Sequence, residues 1–261
     1  MRPLWTGAIG FGLVNIPVKL YSATQGSELS LDMLDKKDHS NIKYKRVNAN
    51  TGKEVEWGNI VKGYKMGDDY VVLDDKDFEA ANAKKSKLIE IIQFVEETEI
   101  DVIYYEMPYY LEPDKGGEKP YALLREALHK AGKVGIASFV MRTKEHLAII
   151  RSTDKVIQLN RIRFAEEIKD VEDLKLPKQI TIKPAELKMA TTLIDQLTEK
   201  FDIKAFKDTY TEQLMKVIHA KAKGKKIKTE HMKVVHSTTD DLMAQLKASV
   251  TAMNPKRKKA S

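Results

Sequence analysis

LWTGAIGFGLVNIPVKLYS, residues 4–22, is rich in Ile, Val, Leu and aromatic side chains and is punctuated by glycines. Such side chains favour a pleated sheet, and closely spaced glycines favour a tight turn. We therefore predict two strands joined by a turn at Gly10 to Gly12. Similar patterns predict further strands at 70–73, 88–95, 102–111, 134–142, 147–151 and 156–164, with 88–95 buried and 143–146 as a hairpin loop.

Two helices are predicted within this β-rich part of the chain. Asp74 or Asp75 can cap a short helix that continues through Ala83, because a carboxylate satisfies free amide donors at a helix start. A second helix is predicted over 119–130, and Gly132 suits its left-handed end. In 156–164, polar and apolar residues alternate, so one face of that strand can meet solvent or a ligand.

The character of the sequence changes near Pro177. A helical pattern begins at Pro184 and keeps apolar residues on one face as far as Phe201. Asp208 can cap the next helix, which ends near Gly224, and a weaker helix is predicted over 239–250. The predicted fold class is thus mixed and mainly β, with helices at the C-terminal end.

The composition excludes several classes of protein. The chain has 261 residues and no cysteine, which rules out a disulfide framework, thiolate zinc sites and a cysteine nucleophile. No apolar run of about 18 residues is present, so we expect no membrane-spanning helix. The N-terminal segment lacks a small-residue cleavage site, so no signal peptide is expected. These features favour a soluble cytoplasmic protein.

The positive charge lies at the C-terminal end. From Met215 onward, 12 Lys and Arg stand against three Asp and Glu, a net charge of +9. Residues 1–214 hold 33 bases against 35 acids, a net charge of −2. A concentrated basic segment attracts a polyanion through counterion release. The alternative interpretation is a solubilising tail.

Motifs for catalysis or cofactor binding are weak. Gly7-x-x-Gly10-x-Gly12 reverses the dinucleotide fingerprint, and Gly52-Lys53 is followed by Glu54 rather than by Ser or Thr. His231 and His236 are five residues apart and point to different helix faces, which makes a poor metal site. We therefore predict no metal, no cofactor and no catalysis. An enzyme acting on DNA ends and an RNA-binding protein stay as alternatives, since a catalytic triad need not be contiguous.

A cluster of bases occurs in the polar segment that follows the first two strands. Lys43 and Lys45 flank Tyr44 and would share one face of an extended strand. A basic ribbon of this kind can follow a phosphate backbone without reading bases. The competing interpretation is an edge strand that lysines protect against aggregation.

Four long segments resemble the bacterial Ku family, in collinear order over nearly the whole chain. They are RPLWTGAIGFGLVNIPVKLYSAT (2–24), KDHSNIKYKRVNANTGKEVEWGNIVKGY (37–64), PYYLEPDKGGEKPYALLREAL (108–128) and FDIKAFKDTYTEQLMKVIHAKAKGKKI (201–227).

The resemblance implies a homodimer whose β-barrel cores and extended arms close a ring around double-stranded DNA. Such proteins load at broken ends in non-homologous end joining, act at the nucleoid, recruit and stimulate DNA ligase D, and have no catalysis of their own. It implies a Ku core barrel over 1–180 with an arm at about 25–67, ligase-recruiting helices over 181–227 and a basic extension over 228–261. Many relatives carry cysteine near the segment matching 44–52. Its absence here puts a metal role there in doubt.

Charge and location within this scheme select candidate site residues. The DNA-binding candidates are Arg2, Lys19, Lys36, Lys37, Lys43, Lys45, Arg46, Lys53, Lys62, Arg142, Lys256, Arg257, Lys258 and Lys259. Tyr210, Leu214 and Ile218 are the candidate anchors for the ligase, with packing on the barrel as the alternative.

Overall fold

The computed structural model describes residues 1–82, 87–142, 144–177, 180–225 and 242–257. The chain divides into two compact units, Met1–Val171 and Glu172–Ser261.

The first unit contains all nine strands found in the described residues and two helices. In chain order they are β1 (Trp5–Phe11), β2 (Val14–Ser22), β3 (Lys62–Met66), β4 (Asp69–Leu73), α1 (Asp75–Asn82), β5 (Leu88–Glu96), β6 (Tyr105–Pro113), α2 (Glu118–Ala131), β7 (Lys133–Met141), β8 (Lys144–Ser152) and β9 (Ile157–Ile162). The second unit contains α3 (Pro184–Leu197), α4 (Thr209–Ala222) and α5 (Leu242–Arg257).

Seven of the strands form a closed barrel in the order β1-β2-β6-β9-β8-β7-β5. All neighbours are antiparallel except β1 and β5, whose parallel pairing closes the barrel. This seam is short, with Ala8, Ile9 and Gly10 opposite Leu88, Ile89 and Glu90. The barrel confirms the predicted mixed, mainly β fold class. Strands β3 and β4 form a separate hairpin.

The barrel interior holds a continuous hydrophobic core. Alternate side chains of each strand point inward, and Ile9, Val18, Leu111, Phe139 and Leu159 are completely buried. Burial of such side chains removes apolar area from water and stabilises the closed sheet.

Helix α2 completes this core at one end of the barrel. It links the end of β6 to the start of β7, and Leu124 and Leu128 belong to the core cluster. The Tyr121 hydroxyl donates to the Leu111 carbonyl at 2.6 Å and accepts from the Ile157 amide at 2.8 Å. Gly132 ends the helix with φ 63°, as the sequence predicts.

A second cluster covers the outer face of β7, β8 and β9. Val134, Ile149 and Ile162 are buried there, and Val95, Ile100 and neighbouring aromatic side chains pack against them. Because only the last part of β5 and the chain after it form this cover, β5 itself is half exposed. The prediction that 88–95 is a buried strand is wrong in this respect: Ile92 is 60% exposed and Phe94 is 42% exposed.

The β7–β8 connection is shorter than predicted. Strand β7 ends at Met141 and β8 begins at Lys144, so Lys144 to His146 are strand residues rather than loop. Arg142 adopts φ 52°, the left-handed conformation that tight two-residue hairpin turns require. The predicted loop missed this because arginine is not a usual residue at such a position.

In the second unit, α3 packs against α5. Helix α4 begins at Asp208, whose carboxylate accepts from the Thr211 amide at 2.9 Å, as predicted. Two helix ends differ from prediction. Helix α3 ends at Leu197, and Phe201 instead stacks on Phe206 with ring centroids 6.0 Å apart. Helix α5 continues to Arg257, beyond the expected end at residue 250.

Candidate nucleic-acid interface

A long excursion, residues 23–87, leaves and re-enters the barrel at one end. Strand β2 stops at Ser22 where β6 begins, and β5 starts at Leu88 opposite the last residues of β7. The β7–β8 turn and the end of β9 meet at this same end. We call it the arm end; α2 lies at the opposite end. The predicted arm, 25–67, is the first and larger part of the excursion.

The mouth of the barrel at the arm end is lined by basic side chains. A cavity of about 450 Å³ is bordered by Arg142, Lys144, His146 and Arg161, together with apolar side chains that include Leu4. Arg161 donates to both carboxylate oxygens of Glu106, from Nε at 2.7 Å and from Nη2 at 2.5 Å. Its charge is therefore largely compensated within the barrel.

The electrostatics of this mouth follow from those pairings. The hydrogen bond from Arg161 lowers the pKa of Glu106, so this carboxylate stays ionised. Burial, followed by the positive charges of Arg161 and Lys144, lowers the pKa of His146. The imidazole, whose ring lies 5.6 Å from that of Phe139, is neutral at neutral pH and adds no charge to the mouth.

The three barrel residues predicted to contact DNA fall in two places. Arg2 is exposed and borders a cavity beside residues 22–25, where the excursion leaves the barrel. Arg142 lies in the turn at the same arm end. Lys19 stands apart on β2, because its ammonium group pairs with Asp114 at 2.8 Å and Asp114 follows β6 towards the α2 end.

The excursion is exposed along its whole described length, since no residue from 24 to 81 is buried. Fourteen of its large apolar side chains stand in solvent: Leu31, Met33, Leu34, Ile42, Tyr44, Val47, Trp57, Ile60, Val61, Tyr64, Met66, Tyr70, Val71 and Val72. The seven predicted arm bases are exposed as well: Lys36, Lys37, Lys43, Lys45, Arg46, Lys53 and Lys62. The arm, 25–67, holds eight Lys and Arg against six Asp and Glu, so its surface is both apolar and basic.

The arm contains a duplicated turn that the sequence does not reveal. A bridge between Leu34 and Asn41 encloses the first turn, and one between Val47 and Glu54 encloses the second. In each turn, the residue that follows the first bridge residue makes two backbone hydrogen bonds. Its amide donates to the carbonyl of the residue five positions later, and its carbonyl accepts from the amide of the residue four positions later. All four hydrogen bonds are 2.8 Å long. His39 and Gly52 hold equivalent left-handed positions, with φ 59° and 67°.

The arm bases differ in the side chains that their charged groups contact. Lys45 forms an ion pair with Glu54 at 2.6 Å. The guanidinium of Arg46 lies over the Trp57 ring, 4.4 Å from its centroid. The ammonium of Lys62 lies over the Phe78 ring at 4.6 Å. Aromatic faces attract a cation without neutralising its charge, so an ion-paired base and a stacked base present different electrostatics to a ligand.

The three candidate ligase anchors share one face of α4, because they are spaced four residues apart. Tyr210 is 74% exposed, Ile218 is 37% exposed and Leu214 is half-buried. At the C-terminal end, Lys256 and Arg257 belong to the last turn of α5. Lys258 and Lys259 lie outside the described residues.

Two groups of residues at this interface were not predicted. Lys144, His146 and Arg161 line the arm end. The alternation of Arg161 and Arg163 with apolar residues was the available signal, since it separates two faces of β9. Nothing in the sequence links Trp57 to Arg46, because the contact depends on how residues 47–54 fold back.

Among the described residues, no group of three or more His, Asp or Glu side chains is arranged to hold a metal ion. No helix within the described ranges is both long and apolar enough to cross a bilayer.

Comparison with known proteins confirms the resemblance found in the sequence. The family model described as "Ku: Ku70/Ku80 beta-barrel domain" matches residues 10–189. Three relatives carry the name "Non-homologous end joining protein Ku". The Coxiella burnetii protein is 39% identical over 268 residues, covering 100% of this chain and 98% of the relative. The Archaeoglobus fulgidus protein is 41% identical over 253 residues, covering 95% and 99%. The Bacillus subtilis protein is 39% identical over 254 residues, covering 96% and 82%. By its barrel and by these relatives, the chain belongs to the Ku family.

Proposed function

We propose that this protein binds double-stranded DNA ends without sequence preference, as a ring-shaped homodimer, and recruits DNA ligase D in non-homologous end joining. The proposal places it in the cytoplasm, at the nucleoid. One observation carries it: an excursion leaves and re-enters the barrel at a single end, and its first part, the arm, is exposed, apolar and basic. The names of the relatives, all of them end-joining proteins, support it.

The apolar side chains of the excursion support the dimer. Fourteen large apolar side chains of one segment are exposed, and large exposed apolar surfaces mark interfaces. The hairpin of β3 and β4 strengthens the argument, because a two-stranded hairpin is marginally stable in water on its own. A second copy, related by a two-fold axis, would bring an identical excursion to cover it and close a loop.

The basic side chains support recognition of phosphates. A protein that accepts any broken end cannot depend on base edges, whereas phosphate contacts position a duplex whatever its sequence. Residues 1–214 have a net charge of −2, so the bases must be segregated from the acids to hold DNA. Within the ring we assign phosphate contacts to the seven arm bases, with Arg2 and Arg142 at the arm end. Lys19 is the weakest candidate because Asp114 compensates its charge.

Topology gives the decisive test of end binding. We expect the protein to shift a linear duplex with free ends, and to leave the same duplex unshifted when both ends are blocked before the protein is added, at matched salt. A sealed circle of the same sequence serves as a second control, because a closed ring has no end to enter. Equal capture of the sealed circle and the linear fragment would contradict the proposal. Labelled linear DNA should also stay intact with divalent metal present; cleavage would favour an enzyme.

The basic extension should add affinity without adding selectivity for ends. Each phosphate that it neutralises contributes about 0.9 to the slope of log affinity against log salt. We expect deletion of residues 254–261 to weaken binding and to flatten that slope, with the preference for free ends retained. A deletion variant that captures sealed circles as well as linear DNA would contradict this division of roles.

Ligase recruitment is assigned to α4. Aromatic and aliphatic anchors dominate protein interfaces, and the exposed Tyr210 and Ile218 lie on one helix face beside Leu214. We expect Tyr210→Ala in the full chain to lower capture of DNA ligase D and to leave DNA binding unchanged. Glu212→Ala, an exposed change two residues from both Tyr210 and Leu214 and so on the other side of α4, is the matched control. Undiminished capture by Tyr210→Ala would exclude this anchor.

A further inference from the structure

We infer that Arg46 and Trp57 form a phosphate-contacting element of the arm, in which the indole positions the guanidinium against the DNA backbone. This inference rests on the proposed DNA binding and names one contact within it. Its basis is the contrast between Arg46 and the neighbouring base. Lys45 is ion-paired with Glu54 at 2.6 Å, whereas Arg46 stacks on a neutral ring and has no acidic partner among the described residues.

The backbone fixes both members of the element. The Val55 amide donates to the Arg46 carbonyl at 2.8 Å, just outside the bridge between Val47 and Glu54. Trp57 begins a single 3-10 turn, and its carbonyl accepts from the Ile60 amide at 3.2 Å. The second duplicated turn thus folds the chain back and sets the indole under the guanidinium.

The geometry leaves the guanidinium able to bind an anion. The guanidinium carbon lies over the ring and no acidic side chain in the described ranges pairs with it, so its N–H groups can donate to a phosphate as a fork. Stacking also limits the rotamers of a long side chain, so less entropy is lost when it binds. Trp57 is 72% exposed, so a bound ligand or partner can contact the indole directly.

The local charge agrees with a phosphate ligand. Residues 43–57 contain four Lys and Arg against two Glu, a net charge of +2. One of those glutamates, Glu54, is engaged by Lys45. The element therefore presents a positive surface to a polyanion, and Arg46 is one of the bases that contribute to it.

The two tryptophans of the chain make the element directly observable. Trp5 is half-buried, donates from its indole nitrogen to the Val140 carbonyl at 3.1 Å and packs on Phe139. Trp57 stands in solvent, so an emission change that DNA produces in the wild type and not in Trp57→Phe reports on Trp57. If the indole contacted only a second protein copy, its emission would change with protein concentration and would not change when DNA is added.

The test measures fluorescence and salt-dependent affinity of the full chain on a blunt duplex. We expect DNA to change the wild-type emission and to leave that of Trp57→Phe unaltered. Arg46→Ala should reduce the salt slope by about 0.9 for each protomer that contacts DNA. Lys130→Ala, which removes an exposed base from α2 at the far end of the barrel, is the charge-matched control and should leave the slope unchanged.

The positioning role of Trp57 has its own readout. Trp57→Ala should weaken binding about two- to fivefold, the range expected for an exposed cation–π contact, while Trp57→Phe retains a ring and recovers most of the affinity. An unaltered salt slope in Arg46→Ala, or an emission from Trp57 that ignores DNA, would overturn the inference while leaving wild-type binding in place. Failure of the wild type itself to bind duplex would overturn both the inference and the proposed function.

Discussion

The barrel and the excursion place the same kinds of side chain in opposite surroundings. In the barrel, Phe139 and Leu159 are removed from water and the closing seam needs only three residue pairs. In the excursion, Tyr44 and Trp57 are 78% and 72% exposed, and no residue from 24 to 81 is buried. The barrel therefore contains the interactions that fold it, whereas the excursion presents apolar surface, and its arm presents basic surface, that only another molecule can cover.

Removing the excursion should give the largest effect. We expect a chain in which about twelve Gly and Ser residues replace 25–82 to keep a cooperatively folding barrel, because such a linker is long enough to rejoin β2 to β5. It should be monomeric, and its affinity for duplex ends should fall to the non-specific level, with a Kd of about 10⁻⁶ M or weaker. Analytical ultracentrifugation and gel shift measure the two losses. A dimer that still binds ends would show that the barrel, rather than the excursion, builds the ring.

The second effect compares a buried ring with an exposed one. Phe139→Ala leaves a cavity in the barrel core and should lower the free energy of unfolding by about 3–5 kcal/mol. Tyr44→Ala, in the arm, should change it by less than about 0.5 kcal/mol in the monomer. Denaturant titrations at a protein concentration that favours the monomer measure both values. A large loss for Tyr44→Ala would mean that the arm packs within its own chain.

A smaller effect concerns pH and lies at the mouth of the barrel. Hydrogen bonding to Arg161 holds the pKa of Glu106 below its usual 4.5 in the folded state. The stabilisation is therefore present above that value and is lost as the pH falls through the folded pKa. Because the Glu106 side chain is 33% exposed, we expect about 1 kcal/mol or less.

Glu106→Gln isolates that contribution. The variant should lose less stability than the wild type when the pH falls from about 5 to about 3, because its side chain no longer titrates. Glu126→Gln is a suitable control, since Glu126 pairs with Arg125 on the exposed surface of α2. If Glu106→Gln and the wild type lost the same stability over this fall in pH, the ion pair between Glu106 and Arg161 would add nothing to the free energy of unfolding.

The barrel was more predictable from sequence than the interface. Runs of aliphatic and aromatic residues, with turn residues between them, predicted every barrel strand but missed β3, while Gly132 and Asp208 predicted helix ends, because these signals are local. The β7–β8 turn was missed because Arg142 occupies a left-handed position that arginine seldom adopts. Domain boundaries and individual DNA contacts stay predictions.

The interface was harder to predict because its charges depend on contacts between residues that are distant in the sequence. A count of bases cannot distinguish Lys19, which Asp114 compensates, from Arg46, which stacks on Trp57. The duplicated turns were invisible for a related reason: LDKKDHSN (34–41) and VNANTGKE (47–54) share a hydrogen-bond pattern but no residue at equivalent positions. Backbone geometry can repeat where side-chain chemistry does not.

Substitutions in those two turns should have the smallest effect. They also test most directly whether the excursion opens independently of the barrel. Gly52→Ala places a methyl group at φ 67° with no atom within 4 Å, so only the left-handed backbone is penalised, by about 1 kcal/mol. Amide exchange should become faster at Asn48 and Gly52, whose amides close the turn. His39→Gly, at the equivalent position of the other turn, should have the opposite effect there, because glycine adopts φ 59° without strain. Barrel amides should exchange at the wild-type rate in both variants, since local opening of an exposed segment need not involve the core. Faster exchange throughout the barrel in Gly52→Ala would mean that excursion and barrel unfold as one unit.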